Sequence, residues 1–309
     1  HRDLHSFPTR RSSDLVKRHL RTKQRGKKIV VEFDFTYLGY WGKRRDPMIK
    51  GTTLVKGAKR MRHYHAAYIH GAGLSQYIAV HHTAKGESMI PFIDETLNDL
   101  KLLGFKIKWV LADREYYNQE VLDLVKAKGS QLITPVKEYK QLQAAKRAYL
   151  QGKKGRIQRY FLGQMAQAGK KAPAPTRCWL YLIATEEYHL GRIRQQYQRG
   201  QITEAMAMTC ITGLITNAPP QRHGKQFATR LQAYYRQRWQ IETAFRVTDE
   251  HQAIYRSNYD STRYFCEMGS FFIYNEWQAE CEGNPQKMRY SYQDYRNKCV
   301  DQITQTVNL

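Results

Sequence analysis

A chain of 309 residues holds about two domains at roughly 150 residues each, enough for a buried core, which excludes a peptide or a disulfide mini-protein. Lys and Arg number 51 against 27 Asp and Glu, leaving a formal charge of +24 and a cationic field that puts polyanions, nucleic acid first, among the expected partners. At 41% hydrophobic and 12% aromatic residues, the chain is too apolar to be a disordered cationic polymer. Its five cysteines, Cys178, Cys210, Cys266, Cys281 and Cys299, show no Cys-x-x-Cys and no Cys/His ligand spacing. That pattern argues against a disulfide framework or a zinc site and for a reducing, cytoplasmic setting. The longest apolar stretches, such as Met206 to Ile215, fall short of the ~20 residues of a membrane helix, so no membrane partner is expected.

The first fifteen residues, HRDLHSFPTRRSSDL, have neither helical nor strand periodicity and lack the order of a signal peptide. They resemble the translated read-through of a sequencing adapter, and residues 1–28 are set aside as a non-native or disordered basic leader. From Ile29 to Tyr40 the sequence IVVEFDFTYLGY alternates with period two and is rich in β-branched and aromatic residues, which predicts a strand. His63 to Gly71 and Ser75 to Thr83 read as a hairpin around Ala72, Gly73 and Leu74. Ile90, Ile93, Leu97, Leu100 and Leu103 have the spacing of an amphipathic helix closed by Gly104. A strand follows over Lys106 to Asp113, then a helix over Asn118 to Gly129 and a strand over Gln131 to Val136. Three antiparallel strands and then helix, strand, helix, strand is the order of an RNase H-like α/β core with a mixed sheet flanked by helices.

Between Lys137 and Arg199 the rhythm breaks, with fourteen Lys and Arg against three Glu and frequent Gly and Pro. This segment reads as a basic, β-containing insertion, with RYFLG and RCWLYLIAT as short strands. AMAMTCITGLITNAPP then has a buried-strand pattern, and the chain is helix-rich from about Gln226. The organisation expected is a leader 1–28, a first core segment 29–136, the insertion 137–205, a second core segment 206–285 and a tail 286–309.

Asp34 lies inside an apolar strand and Asp113 ends another, WVLAD, before the turn Arg114-Glu115-Tyr116-Tyr117. Strand ends are where α/β sheets build their sites. On one continuous helix at about 100° per residue, Tyr235, Arg238, Glu242, Arg246 and Asp249 would share an arc of roughly 80°, with Trp239, Ile241 and Phe245 as the packed apolar positions. Glu32, on the same strand face as Asp34, is the nearest rival acidic residue. His63, His65, His81 and His82 read as hairpin surface or DNA-facing residues and not as a zinc site.

Asp34 in an Asp-x-Thr setting, Asp113 in an Asp-Arg pair, and the Tyr-x-x-Arg-x-x-x-Glu run from Tyr235 through Arg238 to Glu242 together resemble the DDE transposases of bacterial and archaeal insertion sequences. The resemblance extends over about residues 29–277 and includes ITNAP (Ile215 to Pro219), Arg-x-Phe (Arg263 to Phe265) and Tyr-Asn-x-Trp (Tyr274 to Trp277). It implies Asp34, Asp113 and Glu242 as catalytic carboxylates that hold two Mg²⁺ ions, with Mn²⁺ as a substitute, to cut DNA at transposon ends and transfer the strand into a target. It also implies DNA-phosphate contacts from Tyr235, Arg238, Arg246 and Arg114, and a homodimer on two double-stranded DNA ends. Lys153, Lys154 and Arg156, with Tyr149, Tyr160 and Tyr197 among the insertion's charges, are expected to bind duplex backbone. The family carries Lys seven residues after its Glu, where this chain has Asp249, and Arg246 on the same helical face is the nearest replacement charge. An inactive DNA-binding remnant and a metal-dependent nuclease on the same core are the competing readings.

Overall fold

The computed structural model describes residues 26–40, 49–55, 58–71, 73–84, 86–163, 174–185, 189–220, 224–250, 260–282 and 291–307, so residues 1–25 of the expected leader lie outside the described residues. In chain order the elements are β1 (Lys28–Gly39), β2 (Ile49–Val55), β3 (Ala58–Gly71), β4 (Leu74–His82), α1 (Ile90–Leu102), β5 (Lys106–Ala112), α2 (Gln119–Ala127), β6 (Gln131–Pro135) and α3 (Lys140–Leu150). There follow β7 (Ile157–Leu162), β8 (Thr176–Ala184), α4 (Leu190–Gln198), α5 (Glu204–Thr209), β9 (Ile211–Thr216), α6 (Gly224–Arg236), α7 (Trp239–Glu250), α8 (Asp260–Glu282) and α9 (Tyr292–Val307). The chain divides into two compact units, His1–Lys106 with Trp239–Leu309, and Ile107–Arg238.

In the first unit β3 runs antiparallel to β1, with Glu32 opposite Tyr68, Asp34 opposite Ala66 and Thr36 opposite Tyr64. The other side of β3 pairs with β2 near Arg60 and with β4 from Tyr64 to Gly71, the hairpin read from sequence. β2 was not anticipated, because IKGTTLV has Gly51 in place of a side chain and no clean alternation; the extended start of β3 recruits it by backbone pairing. Alternation along β1 sends Phe33 toward Phe92 of α1, with ring centroids 6.0 Å apart. The other face gathers Leu38, Tyr64, Tyr68 and Tyr77 with Ile241, Ala244 and Phe245 of α7, Met268, Phe271 and Tyr274 of α8, and Tyr292 of α9. The segment read as a tail therefore contributes a helix whose first residue is buried, its hydroxyl donating to the Ser270 carbonyl at 3.1 Å.

A buried ion pair fastens α8 to β3. Arg62 Nη1 donates to both Glu267 oxygens at 3.0 and 3.2 Å, each residue is only 3% exposed, and the Tyr64 hydroxyl donates to the same carboxylate. The hydrogen bonds offset the desolvation that makes an isolated buried charge so costly. About two turns further along α8, Asn275 of the Tyr-Asn-x-Trp run accepts the Tyr77 N–H through Oδ1 at 2.8 Å and donates Nδ2 to the Tyr77 carbonyl at 2.6 Å.

In the second unit the strand order is β5-β6-β9-β8-β7, with β5 and β6 parallel and the remaining pairs antiparallel. The helix α2 opens where Asn118 accepts the Glu120 N–H and is followed by Gly129 at φ 72°. Phe227 and Tyr234 of α6 pack on Trp109, and Phe227 also meets Tyr181. The residues expected as an insertion add β7 and β8 to the same sheet as β6 and β9. In the run AMAMTCITGLITNAPP the expected buried-strand pattern gives a short helix and then a strand, because the Thr203 hydroxyl accepts the Met206 N–H and caps α5, delaying β9 to Ile211. Asn217 of the ITNAP run clamps the start of β6, accepting the Leu132 N–H at 2.7 Å and donating to the Ser130 carbonyl at 2.9 Å.

Of the four hairpin histidines expected at the surface or facing DNA, His65 is buried, whereas His63, His81 and His82 are half-buried. His65 is 2% exposed, its ring 4.2 Å from that of Phe35 and 5.6 Å from that of Phe92. His81 pairs with Glu87 at 2.7 Å. Burial, reinforced by His81 and Lys50 and opposed by Glu87, pushes His65 down to about 3, and burial followed by the Lys50 charge pushes His63 down to about 4.

Two predictions follow from this packing. Asn217→Ala and Asn275→Ala each strand a backbone donor and acceptor, and each is expected to cost about 1–3 kcal/mol in denaturant unfolding. Because His65 and His63 bind protons less readily folded than unfolded, their stabilisation is complete above the ordinary value of 6.5 and drains as pH falls from there toward about 4 and 3. Thermal midpoints are expected to drop over that window, and His65→Gln to flatten the slope.

Candidate functional site

Asp34 occupies the middle of β1, 6% exposed, with its Oδ1 accepting the N–H of Phe35 at 2.8 Å. The residue opposite is Ala66, which has only a methyl group. Two positions earlier on the same face, Glu32 is fully buried, and its two oxygens have separate partners. Oε1 lies 2.6 Å from Nδ1 of His70, and Oε2 accepts the backbone N–H of Ile241 at 3.1 Å. The carboxylate thus meets the first turn of α7, where the helix dipole and unpaired N–H groups favour an anion.

Glu242 is the next residue, in that same first turn, and it is exposed while Ile241 is buried against the sheet. Arg246 stands one turn further on, also exposed, and Asp249 is half-buried near the Tyr77 hydroxyl. Glu242, Arg246 and Asp249 share one side of α7, as their spacing requires.

The expected single helix from Tyr235 to Asp249 is interrupted. Gln237 and Arg238 donate their N–H groups three residues back, to the carbonyls of Tyr234 and Tyr235, and this tightening ends α6. In an unbroken helix the Ile241 N–H would bond the Gln237 carbonyl; Glu32 takes it instead, and α7 starts afresh at Trp239. Tyr235 and Arg238 belong to the second unit, with the guanidinium 5.6 Å from the centre of the Tyr235 ring. Trp239, expected in the core, is 64% exposed because it lies about 200° around the helix from Ile241, on the side away from the packed face.

In the second unit Asp113 ends β5, half-buried, and its Oδ1 accepts the Arg114 N–H at 2.6 Å, capping a single 3₁₀ turn, Arg114–Tyr116. Thr134 of β6 donates its hydroxyl to the Asp113 carbonyl at 2.9 Å, and Tyr116 anchors the turn in the core. The Arg114 side chain is exposed. Lys153 and Lys154 stand exposed in the turn after α3, whereas Arg156 is half-buried beside Tyr149, where burial lowers its guanidinium below the ordinary value. Tyr149 and Tyr160 are core residues, the latter hydrogen-bonded to Tyr117 at 2.8 Å, and so are not the DNA-facing aromatics expected of the insertion.

Glu32 is the residue whose role the sequence only half disclosed. A charged residue two positions from Asp34 suggested a rival ligand, yet both of its oxygens are engaged within the protein. Nothing in the sequence pointed to His70 or to Ile241 as its partners.

Among the described residues no three His, Cys, Asp or Glu side chains group as a ready-made metal site. The first unit brings two hard oxygen donors, Asp34 on β1 and Glu242 on α7, to elements joined through Glu32. This donor chemistry suits Mg²⁺ or Mn²⁺, which are held by one or two carboxylates while water and substrate phosphate complete the shell. It does not suit zinc, which favours Cys and His.

Residues 41–263 match the family described as the transposase DDE domain; the match takes in Asp113 and Glu242 and begins just beyond Asp34. No curated protein matches the chain. Among solved structures, piggyBac transposase in a synaptic complex with hairpin DNA is 11% identical, aligned over 96% of this chain and 56% of that one with a TM-score of 0.57, a likeness of fold. The Drosophila P element transposase strand transfer complex aligns over 85% of this chain and 53% of the other at 10% identity, with a TM-score of 0.27. The chain thus spans little more than half the length of these transposases. Since the family match takes in well over half of its residues, the chain belongs to the transposase DDE domain family.

Proposed function

We propose that this chain is the catalytic part of a DNA transposase of the insertion-sequence type, cutting DNA at transposon ends and joining the freed 3′ end to a target. The observation that carries the reading is the buried tie from Glu32 of β1 to the N-terminus of α7, which holds Asp34 and Glu242 on connected elements in a member of the DDE family. Asp34, Asp113 and Glu242 are the carboxylates assigned to two Mg²⁺ ions, for which Mn²⁺ would substitute. When bound, such ions lower the pKa of an attacking water or hydroxyl and stabilise charge on the leaving oxygen.

The protein's own groups supply the rest. Asp34 offers an oxygen from a rigid, buried strand, and Glu242 is presented to solvent by a helix that cannot slide without breaking the Glu32 bond. Arg246, one turn from Glu242, provides positive charge for a phosphate on a face where Asp249 stands in the position of the family Lys. Tyr235, Arg238, Arg114, Lys153, Lys154 and Arg156 are assigned to the backbone of double-stranded DNA, in keeping with the charge of +24. Pairing of two transposon ends calls for a homodimer on DNA, and DNA as substrate calls for a cytoplasmic, nucleoid-associated location. No helix among the described residues is long and apolar enough to cross a membrane.

The Asp249 substitution is the specific observation that favours the second reading, a DNA-binding remnant without turnover. Plasmid nicking in Mg²⁺ or Mn²⁺ separates the two. Asp34→Asn, Asp113→Asn and Glu242→Gln are each expected to lower nicking by more than about a hundredfold, beyond the 10–100-fold typical of losing a residue that merely supports a ligand. EDTA is expected to abolish nicking, with DNA binding by these variants unchanged. Binding without nicking by the unsubstituted chain would favour the remnant, and nicking without joined products a nuclease. Lys153→Ala with Lys154→Ala is expected to reduce the slope of log affinity against log salt by about two while sparing sequence preference.

A further inference from the structure

Glu32 and His70 lie outside the carboxylates assigned to metal, yet they form a fully internal chain of contacts between the two elements that carry Asp34 and Glu242. Glu32 is inaccessible to water, and an unpartnered carboxylate there would be strongly unfavourable. Its Oε1 meets His70 of β3 at 2.6 Å and its Oε2 meets the Ile241 N–H at 3.1 Å. Glu32 is two residues from Asp34 on one strand face, and Ile241 is adjacent to Glu242. The contact is also the one that replaces the Ile241-to-Gln237 bond of a continuous helix, so it fixes where α7 begins and which residue its first turn presents.

We propose that Glu32, oriented by His70, is a positioning residue that sets the placement of Glu242 relative to Asp34 and thereby the affinity of the site for its divalent cation. The proposal rests on the transposase reading for the identity of that site. Glu32 does not itself ligate the ion, since its two oxygens are taken by His70 and by the α7 backbone. Glu32→Gln keeps the volume and removes the negative charge that draws both the His70 ring and the N-terminus of α7. His70→Asn places an amide N–H where Nδ1 stood and is the conservative replacement, while His70→Ala removes the orienting group.

The test uses the full chain and two readouts that need no DNA: Mn²⁺ binding followed by electron paramagnetic resonance, and amide hydrogen exchange across residues 239–243 in metal-free protein. Glu32→Gln and His70→Ala are expected to weaken Mn²⁺ binding by roughly tenfold and to speed exchange in the first turn of α7 selectively, with His70→Asn within about threefold of the unsubstituted chain. Nicking by Glu32→Gln is expected to recover at high Mn²⁺, which nicking by Glu242→Gln does not. Unchanged Mn²⁺ affinity in a chain that still nicks DNA overturns the positioning role and leaves the transposase reading standing. Exchange that rises uniformly across the chain also overturns it, in favour of a purely structural role. An unsubstituted chain that neither binds Mn²⁺ nor nicks DNA defeats the transposase reading and the positioning role with it.

Discussion

A strand buried on both faces has to find partners for every polar side chain it carries, and in β1 that requirement organises the first unit. The face holding Phe33 is met by apolar contacts from α1, which any amphipathic helix of suitable size would supply. The opposite face carries Glu32, Asp34 and Thr36, all buried, and only backbone or side-chain donors can satisfy such a row. The start of a helix offers the densest supply of free N–H groups in a protein, and α7 brings its start to Glu32. The apolar positions that follow, Ile241, Ala244 and Phe245, then pack on Tyr77 and its neighbours, and α8 closes over them through the Arg62–Glu267 pair. Polar demand on one strand thus decides where a helix from the distant C-terminal part of the chain begins.

Much of this architecture is legible in the sequence wherever a local rule governs. The period-two run at Ile29 to Tyr40, the hairpin, the Asn118-capped helix and the glycine at its end were all readable, because strand alternation, caps and left-handed glycines act over a few residues. β2 escaped notice because its strand character comes from the neighbour it pairs with, and α5 because one hydroxyl cap outweighs an apolar pattern. The position of Asp34 in mid-strand and of Asp113 at a strand end were likewise legible. The break between Arg238 and Trp239 was not, since helical periodicity runs unchanged through Tyr235 to Asp249 and the competing acceptor lies more than two hundred residues away. Trp239 faces away from the core by its spacing from Ile241 alone, whereas His65 is buried by tertiary contacts with Phe35 and Phe92 that no local pattern reveals.

That break has a bearing on how the Tyr-x-x-Arg-x-x-x-Glu spacing is understood. The count from Tyr235 through Arg238 to Glu242 does not run along one helix, because α6 ends at Arg236 and α7 begins at Trp239. The first two residues close one helix and stack on each other, and the acidic residue opens the next. Spacing along the chain is then a count of residues through a turn, and an insertion or deletion there would alter the presentation of Glu242 without disturbing either helix interior.

The asparagine clamp on Tyr77 carries a consequence of another kind. Among the described residues β4 pairs with one strand, β3, so its far side presents backbone groups open to a further extended chain. By occupying both the N–H and the C=O of Tyr77, Asn275 supplies from a helix what a further strand would supply, and ends the ladder there. The asparagine of the Tyr-Asn-x-Trp run thus blocks, at Tyr77, the edge pairing by which a β-prone strand takes on a further strand.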